Sequence, residues 1–204
     1  MGDTILVTGG AGYIGSHACK ALAAAGYVPV TYDSLVTGWR DAVRFGPFEA
    51  GDMRDRDRLD AVLKAHRPVA VMHFAALSNV GEASSDPALY WDNNVIGTLR
   101  LTQAVAAAGV PHLVFSSTCA TYGDQDGVML DETCPQQPEN AYGASKRAAE
   151  DLIANIAAAP GVTLNHVFFR YFNVAGADPD AAIGEFHRPE THLIPLALDA
   201  VRGR

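Results

Sequence analysis

The sequence lacks the features that define several other classes of protein. None of its apolar runs approaches the ~20 residues of a membrane-spanning helix, and its basic residues are not grouped into runs. The formal net charge is −8. These properties argue against a membrane protein, and against nucleic acid or an anionic membrane as the main partner. A predicted strand follows the N-terminus directly, without the basic segment and apolar core of a signal peptide, so we expect a cytoplasmic protein.

Cysteine is scarce, since the 204 residues include three, Cys19, Cys119 and Cys134. No pair of them has the C-x-x-C spacing of a redox or zinc motif. We therefore expect reduced thiols rather than a disulfide framework or a zinc site.

Two histidines and two glutamates occur close together towards the C-terminal end, at Glu185, His187, Glu190 and His192. Their spacing matches no metal-binding motif. We interpret them as polar residues of a loop, and we predict that the protein needs no metal.

A glycine-rich turn follows the first predicted strand, Ile5–Thr8. Gly9, Gly12 and Gly15 fit the pattern G-x-x-G-x-x-G, and Gly10 gives the overlapping G-x-G-x-x-G. Such glycines permit a tight turn, let backbone N–H groups approach a pyrophosphate, and let the next helix pack closely on the strand. The turn opens a helical pattern, and a helix N-terminus favours an anion. The pattern predicts a dinucleotide-binding site.

A carboxylate stands where this site would need one. The second predicted strand, Val28–Tyr32, leads into Asp33, about twenty residues beyond the glycines. There a carboxylate accepts both hydroxyls of the adenosine ribose and repels a 2′-phosphate. We therefore predict NAD rather than NADP as the cofactor.

Strand and helix patterns alternate along the chain, which predicts an α/β fold: a doubly wound, parallel Rossmann-type sheet with helices on both faces. We assign residues 1–173 to this NAD-binding domain and residues 174–204 to the start of a substrate-binding region. The predicted strands are Ile5–Thr8, Val28–Tyr32, Phe48–Ala50, Val69–Phe74, Leu113–Ser116 and Val162–Arg170. The predicted helices are Gly12–Ala25, Asp55–His66, Pro87 to about Ala108, and Ala141 to about Ala158.

A second chemical motif is Tyr142-Gly-Ala-Ser-Lys146. Residues four apart share one face of a helix, so the phenol and the ammonium can both point into the cofactor cleft. A free phenol has a pKa near ~10, and a nearby Lys⁺ together with a positive nicotinamide ring favours its ionised form. The strand before this helix ends in three hydroxyls, Ser116 to Thr118, one of which would hydrogen-bond the same substrate oxygen. Spacing alone does not choose among the three.

Taken together, the motifs resemble those of the UDP-glucose 4-epimerases, members of the extended short-chain dehydrogenase/reductase family. The resemblance covers essentially the whole chain. The matching pieces are Thr8–His17 (TGGAGYIGSH), Gly51-Asp52, His73–Ala76 (HFAA), Val80–Glu82 (VGE), Asp92–Val95 (DNNV), Gly97–Arg100 (GTLR), Phe115–Thr118 (FSST), Tyr142–Lys146 (YGASK) and Arg170–Asn173 (RYFN).

The resemblance implies a role for each matching position. Thr118 takes the catalytic Ser/Thr position, Tyr142 is the acid/base, and Lys146 is its electrostatic partner and a ligand of the nicotinamide ribose. The implied cofactor contacts are Gly9, Gly12, Tyr13, Ile14, Gly15, Asp33, Asp52, Met53, Phe74, Ala75, Asn93, Ser116, Tyr142, Lys146 and Tyr171. The implied contacts to the sugar nucleotide are Thr118, Tyr142, Asn173, His192 and Leu193.

The implied reaction is epimerisation at C4 of a UDP-hexose, UDP-glucose or UDP-galactose, through a 4-keto intermediate. Tyr142 removes the 4-hydroxyl proton while hydride passes from C4 to tightly held NAD⁺, and the turned keto sugar takes the hydride back on its other face. UDP-pentoses and UDP-N-acetylhexosamines stay open as substrates. A truncated NAD-binding module with little or no activity is the alternative from another class.

Several departures and rival families bear on this interpretation. Ser78 stands where many members have lysine, and His192 stands where some have asparagine. A 4,6-dehydratase typically follows the catalytic threonine with Asp-Glu, whereas Cys119-Ala120 follow Thr118 in this chain. The family often dimerises through the helices after Pro87 and Tyr142, so a homodimer is a further expectation.

Overall fold

The computed structural model describes residues 2–187 and 189–203, and its centre is a single sheet of six parallel strands. Their order is β3-β2-β1-β4-β5-β6, which is the doubly wound order of dinucleotide-binding folds. The predicted fold class is confirmed. The strands are β1 (Thr4–Thr8), β2 (Val28–Asp33), β3 (Phe48–Ala50), β4 (Ala70–His73), β5 (His112–Thr118) and β6 (Asn165–Tyr171).

Helices connect the strands and cover both faces of the sheet. They are α1 (Tyr13–Ala24), α2 (Arg56–His66), α3 (Val80–Ser85), α4 (Pro87–Tyr90), α5 (Gly97–Ala107), α6 (Ala141–Ala157) and α7 (Leu193–Val201). A π-helical segment, Trp91–Ile96, joins α4 to α5, and short 3₁₀ turns occur at Arg40–Ala42 and Cys119–Thr121. No helix in the described ranges is both long enough and apolar enough to cross a membrane.

The helix boundaries follow from local side-chain chemistry. Asp55 caps α2 by accepting a hydrogen bond from the Arg58 N–H, and Asp86 caps α4, which has proline at its first position. Gly109, with a φ of 68°, follows α5 in the left-handed conformation that ends many helices. The predicted single helix from Pro87 to about Ala108 is therefore three consecutive segments.

The core lies on both faces of the central strands. Fully buried side chains include Leu6 and Val7 of β1, Tyr32 of β2, and Leu113 and Phe115 of β5. Strands covered on both sides in this way need no polar alternation, which explains the continuous apolar runs in the sequence. At the sheet edge, β6 is half exposed, and α7 has no buried residue.

The chain after β6 turns back across the first part of the fold. Residues 174–187, which we name the crossing segment, reach α1, where the Tyr13 hydroxyl donates to the Gly176 carbonyl (2.6 Å). Lys20 pairs with Asp178 and, at 2.6 Å, with Asp180. Trp39 and Arg44, in the loop after β2, also donate to backbone carbonyls of this segment. These contacts tie the last part of the chain to the glycine-rich turn.

Candidate active site

The glycine turn occupies the point where the strand order reverses, between β1 and β4, which is where doubly wound sheets bind ligands. Gly9 has a φ of 72°, and a Cβ there would lie 2.5 Å from the Ala75 N atom. A Cβ on Gly15 would lie 2.2 Å from the Gly9 carbonyl oxygen. Neither position has room for a side chain, so glycine at both allows the turn and α1 to lie in close contact.

The N-terminus of α1 faces this turn. Gly12 occupies the N-cap and offers no side-chain hydrogen bond to the first helical turn. The N–H groups of Tyr13 and Ile14 therefore lie among the first donors of a helix, which have no intrahelical acceptor. Such donors form a favourable place for a phosphate.

Asp33 lies at the end of β2 as predicted, and its carboxylate holds two loops together. It accepts hydrogen bonds from the Ala11 N–H (3.0 Å) and the Leu35 N–H (2.8 Å). Burial raises the pKa of Asp33, and the two backbone donors oppose that rise. A carboxylate oxygen has two lone pairs, so both oxygens keep an acceptor site for a ribose hydroxyl.

Asp52 and Met53, two of the implied cofactor contacts, follow β3. Both Asp52 carboxylate oxygens bind the Arg54 guanidinium, at 2.9 and 2.6 Å, and Arg54 also reaches Asp92. The hydrogen bonds from Arg54 lower the pKa of Asp52. Met53 is buried beside Gly97 of α5. Sequence reasoning did not anticipate that Arg54 would occupy this carboxylate.

Three side chains come together at the carboxyl ends of β5 and the first turns of α6. Thr118 is the last residue of β5, and its side chain lies close enough to the Tyr142 phenol to act against the rise of that phenol's pKa. Lys146, one turn further along α6, donates from Nζ to the Ser116 carbonyl (2.8 Å). The predicted trio is therefore assembled. Ser117 points away to Glu150, so Thr118 is the β5 hydroxyl on the phenol.

Burial dominates the pKa values of Tyr142 and Lys146. Burial raises the pKa of Tyr142, and Thr118 only partly opposes this rise. Burial lowers the pKa of Lys146 to about 7, against a smaller opposing effect of Glu150. The lowering of the Tyr142 pKa by Lys⁺ together with a positive nicotinamide ring stays a prediction.

Two buried groups that were not singled out as site residues position the floor of the cleft. Asn94 accepts from the Leu77 N–H and donates to the Leu77 carbonyl and to Ser145, so it joins the loop after β4 to α6. His73 is bound to Thr8 at one ring nitrogen (2.7 Å) and to Thr98 at the other (2.9 Å). Burial lowers the pKa of His73 to about 3, so the ring is neutral.

The remaining implied cofactor residues lie around these groups. Phe74 and Ala75 donate their N–H groups to the Thr8 carbonyl, and Asn93 donates to Asn94. All three are partly exposed at the carboxyl edge of the sheet. Tyr171 is paired with Thr118 in the β5–β6 register. This places it beside the trio.

A buried polar network supports the trio from behind. Glu150 accepts from Ser117 of β5, from Gln136 (3.0 Å) and from Arg170 of β6 (2.7 Å). Arg170 in turn donates to the Tyr122 hydroxyl (2.7 Å). Burial acts to raise the pKa of Glu150, but its hydrogen bonds, the largest effect among them being that of Arg170, lower this pKa overall. The network fixes the ends of two strands to the helix that holds Lys146.

The implied sugar-nucleotide residues after β6 are less enclosed. Asn173, His192 and Leu193 are all exposed. His192 pairs instead with Glu190 (2.8 Å) and Glu185 (3.2 Å). The described positions of this stretch have no regular secondary structure, as expected of a loop, and polar atoms of its two histidines and two glutamates lie within 4.8 Å of one another.

Two concavities differ in their relation to this site. A small one of about 180 Å³ lies between the N-terminus of α1 and the start of the crossing segment, lined by Tyr13, Ile14 and His17 among others. A groove of about 620 Å³ lies at the far end of the sheet, between the ends of α2 and α5. Of these two, the small one adjoins the glycine turn, whereas the larger groove is remote from Thr118, Tyr142 and Lys146.

Comparison with known protein families agrees with this geometry. The sequence profile of the "NAD dependent epimerase/dehydratase family" matches residues 5–203. The chain belongs to this family.

Individual relatives within this family show a more specific similarity, to UDP-glucose 4-epimerases. The chain is 55% identical over 202 residues to the UDP-glucose 4-epimerase of Rhizobium meliloti, covering 99% of this chain and 61% of that protein. It is 47% identical to the UDP-glucose 4-epimerase of Streptomyces lividans, covering 100% of this chain and 61% of that protein. The chain thus spans about three fifths of the length of these relatives.

Solved structures of UDP-glucose 4-epimerases are also similar to this chain. The UDP-glucose 4-epimerase from Brucella ovis in complex with NAD superposes with a TM-score of 0.95 at 48% identity, covering 99% of this chain and 62% of that one. The enzyme from Stenotrophomonas maltophila, with bound NAD and formylated UDP-arabinopyranose, has a TM-score of 0.93 at 40% identity, covering 98% and 62%.

Proposed function

We propose that this chain binds NAD across the switch point of its sheet. The pyrophosphate would lie on the turn of Gly9, Gly12 and Gly15 and receive the Tyr13 and Ile14 N–H groups, and Asp33 would hold the adenosine ribose. The fit rests on a turn that a Cβ would fill and on a helix N-terminus without a side-chain cap. The other proposed cofactor residues are Asp52, Met53, Phe74, Ala75, Asn93, Ser116, Tyr142, Lys146 and Tyr171.

Asp52 needs one adjustment in this proposal. Its carboxylate is engaged with Arg54 at both oxygens, so its contact with the adenine would use a remaining lone pair or require Arg54 to turn away. Arg54 is exposed and has Asp92 as a second partner, so a rotation would leave its charge paired.

We propose that the reaction is epimerisation at C4 of a UDP-hexose. When bound, NAD⁺ supplies a reversible acceptor for the hydrogen at C4. Tyr142 would accept the proton of the 4-hydroxyl and return it at the end, and Thr118 would hold the same oxygen in place. Lys146 would bind the nicotinamide ribose and stabilise the ionised phenol.

The observation that carries this proposal is the convergence of Tyr142, Thr118 and Lys146 at the carboxyl ends of the strands beside the glycine turn. Proton transfer needs the substrate 4-hydroxyl within hydrogen-bond reach of Tyr142, and Thr118, beside the phenol, would hold that hydroxyl there. The relatives named above are UDP-glucose 4-epimerases, which supports UDP-glucose and UDP-galactose as the substrate pair. Asn173, His192 and Leu193 stay predictions as contacts to the sugar nucleotide.

An assay on the purified chain tests the reaction. UDP-galactose is added with NAD⁺, and UDP-glucose is measured together with NADH absorbance. UDP-glucose formation without net NADH accumulation supports the proposal. The same assay with UDP-N-acetylgalactosamine and a UDP-pentose ranks the alternative substrates.

A second candidate function is an NAD-binding module with little or no turnover. One observation favours it: the residues proposed to contact the sugar nucleotide, Asn173, His192 and Leu193, are all exposed. NAD binding in calorimetry together with no detectable binding of UDP-galactose would support the module. Turnover of UDP-galactose would eliminate it.

A further inference from the structure

The ring of Tyr142 has an aromatic neighbour, Tyr90, which is the last residue of α4. The two ring centroids lie 6.4 Å apart and the ring planes are nearly perpendicular, at 85°. This is one of the arrangements that aromatic pairs prefer. Tyr90 is fully buried, so its ring forms a fixed wall beside the phenol that the proposed reaction uses.

The hydroxyl of Tyr90 is committed to partners other than the phenol. It lies 2.7 Å from the Asn79 carbonyl oxygen and 2.8 Å from a Glu82 carboxylate oxygen. Both of these oxygens are acceptors, so they share the single proton of the hydroxyl. Burial, followed by the hydrogen bond to Glu82, raises the pKa of Tyr90. Tyr90 is therefore not placed to exchange a proton with Tyr142.

The backbone at Tyr142 is fixed without help from Tyr90. Ser145 Oγ donates to the Tyr142 carbonyl (2.8 Å), and the Asn140 side chain caps the N-terminus of α6. These bonds position the helix but leave the direction of the phenol to its side-chain torsions. Contacts that restrict those torsions are the neighbouring Thr118 side chain and the Tyr90 ring.

We propose that Tyr90 is a positioning residue for Tyr142, and that its buried ring holds the phenol in the orientation that proton transfer requires. The inference rests on the proposed epimerase reaction. A proton acceptor must lie within hydrogen-bond reach of the substrate oxygen, and a misplacement of about 1 Å can cost ~10²-fold in rate. The bonds to Asn79 and Glu82 hold Tyr90 itself, so they connect the start of α3 to the orientation of the phenol.

Variants that remove or keep the Tyr90 ring test this role. Tyr90→Leu should lower kcat for UDP-galactose by ~10²-fold, with KM and NAD affinity little changed, because the ring orients the phenol and is not itself a ligand contact. Tyr90→Phe keeps the ring and should keep most of kcat. Should Tyr90→Leu fail to fold, Tyr90→Met repeats the test with a longer and more adaptable side chain.

A control in the core separates positioning from loss of stability. Leu59→Ala, at a fully buried leucine of α2, should destabilise the protein and keep the kcat of the folded molecules. Equal kcat in Tyr90→Leu and the wild type would overturn the proposal. An equal loss of kcat in Tyr90→Phe and Tyr90→Leu would overturn it as well, because the Tyr90 hydroxyl would then take part in the chemistry.

NMR relaxation tests the positioning without any turnover. In a chain with carbon-13-labelled tyrosine, the Tyr142 ring signal is the one that Tyr142→Phe lacks. Its order parameter should fall in Tyr90→Leu and stay unchanged in Tyr90→Phe. An unchanged order parameter in Tyr90→Leu would rule the proposal out. Should the wild type not convert UDP-galactose, the proposed reaction fails, and this measurement alone decides whether Tyr90 orients Tyr142.

Discussion

The burial of Lys146 makes its contribution to stability depend on pH. Its ammonium is almost fully buried, and burial lowers its pKa to about 7 from an ordinary value of 10.5. Between these two values the unfolded chain binds a proton that the folded chain does not. The contribution of Lys146 to the free energy of unfolding therefore rises as the pH increases from about 7 to 10.5.

This linkage predicts the behaviour of Lys146→Met. At pH 6 the variant should be more stable than the wild type by up to about 5 kcal/mol, since the Lys146 pKa falls from 10.5 to about 7 and each pKa unit corresponds to about 1.4 kcal/mol. The difference should shrink as the pH rises towards 10, and urea unfolding at several pH values measures it. Lys64→Met, at an exposed lysine of α2, should show no such trend. A stability difference that does not vary with pH would contradict the buried-charge explanation.

Tyr142 is the residue on which the proposed reaction depends most directly. Tyr142→Phe removes the hydroxyl that would exchange the proton, so the rate of epimerisation should fall by about 10²–10⁴-fold. NAD affinity, measured by calorimetry, should fall much less than the rate, because Tyr142 is one of many proposed cofactor contacts. Tyr27→Phe, at an exposed tyrosine, is the control and should keep full activity. Comparable rates for Tyr142→Phe and the wild type would exclude Tyr142 as the acid/base.

At the scale of the elements, the network around Glu150 joins β5, α6 and β6. Glu150 and Lys146 lie four residues apart on one face of α6, and the Glu150 charge acts to raise the Lys146 pKa. The same carboxylate binds Ser117, the neighbour of both Ser116 and Thr118. One side chain thus influences the charge of the lysine and the position of the strand end that the trio uses.

Glu150→Gln should therefore have two measurable effects. Leaving Arg170 without its carboxylate partner should cost about 3 kcal/mol of unfolding free energy, because breaking a buried pair strands a charge. The pKa of Lys146, measured by NMR at its ε-carbon, should fall further. Asp151→Asn makes the same charge change at the next, exposed position and should do neither. A destabilised Glu150→Gln variant with an unshifted Lys146 pKa would reduce Glu150 to a structural role.

The elements also show what the sequence could predict. Strand positions and fold class followed from apolar runs and from the glycine turn, because those signals are local. The short helix α3 and the π-helical segment after Tyr90 were not predicted, since a continuous helical pattern does not reveal a widened turn. The Glu150 network was not predicted either. Its members, Ser117, Gln136, Glu150 and Arg170, are far apart in the sequence and meet only after β5, α6 and β6 have packed.

At the scale of the whole molecule, two elements expose large apolar side chains. The helix α7 exposes Leu193, Ile194, Leu196, Leu198 and Val201, between 47% and 87% each. The edge strand β6 exposes Val167 and Phe169, each about half. Several exposed apolar side chains on one helix are typical of an interaction site or an association hazard.

We therefore expect the chain, studied alone, to associate in a concentration-dependent way and to bind an apolar dye. Replacing Leu198 and Val201 together by lysine should weaken self-association at least about tenfold, which corresponds to ~1.4 kcal/mol. Replacing Val128 and Met129 by lysine gives a double control at exposed apolar residues of another loop. Sedimentation at several concentrations measures the effect. Equal association of both double variants would show that α7 is not the contact surface.

The crossing segment has a consequence for how the protein is made. Its contacts with α1 and the loop after β2 join residues 138–163 positions apart in the chain. A ribosome adds about 5–20 residues per second, so α1 leaves the ribosome roughly 10–30 seconds before its partners in the crossing segment exist. During that interval Tyr13 and Lys20, beside the glycine turn, face solvent or a chaperone. The first βαβ unit must therefore keep its structure without these contacts until the crossing segment has been synthesised.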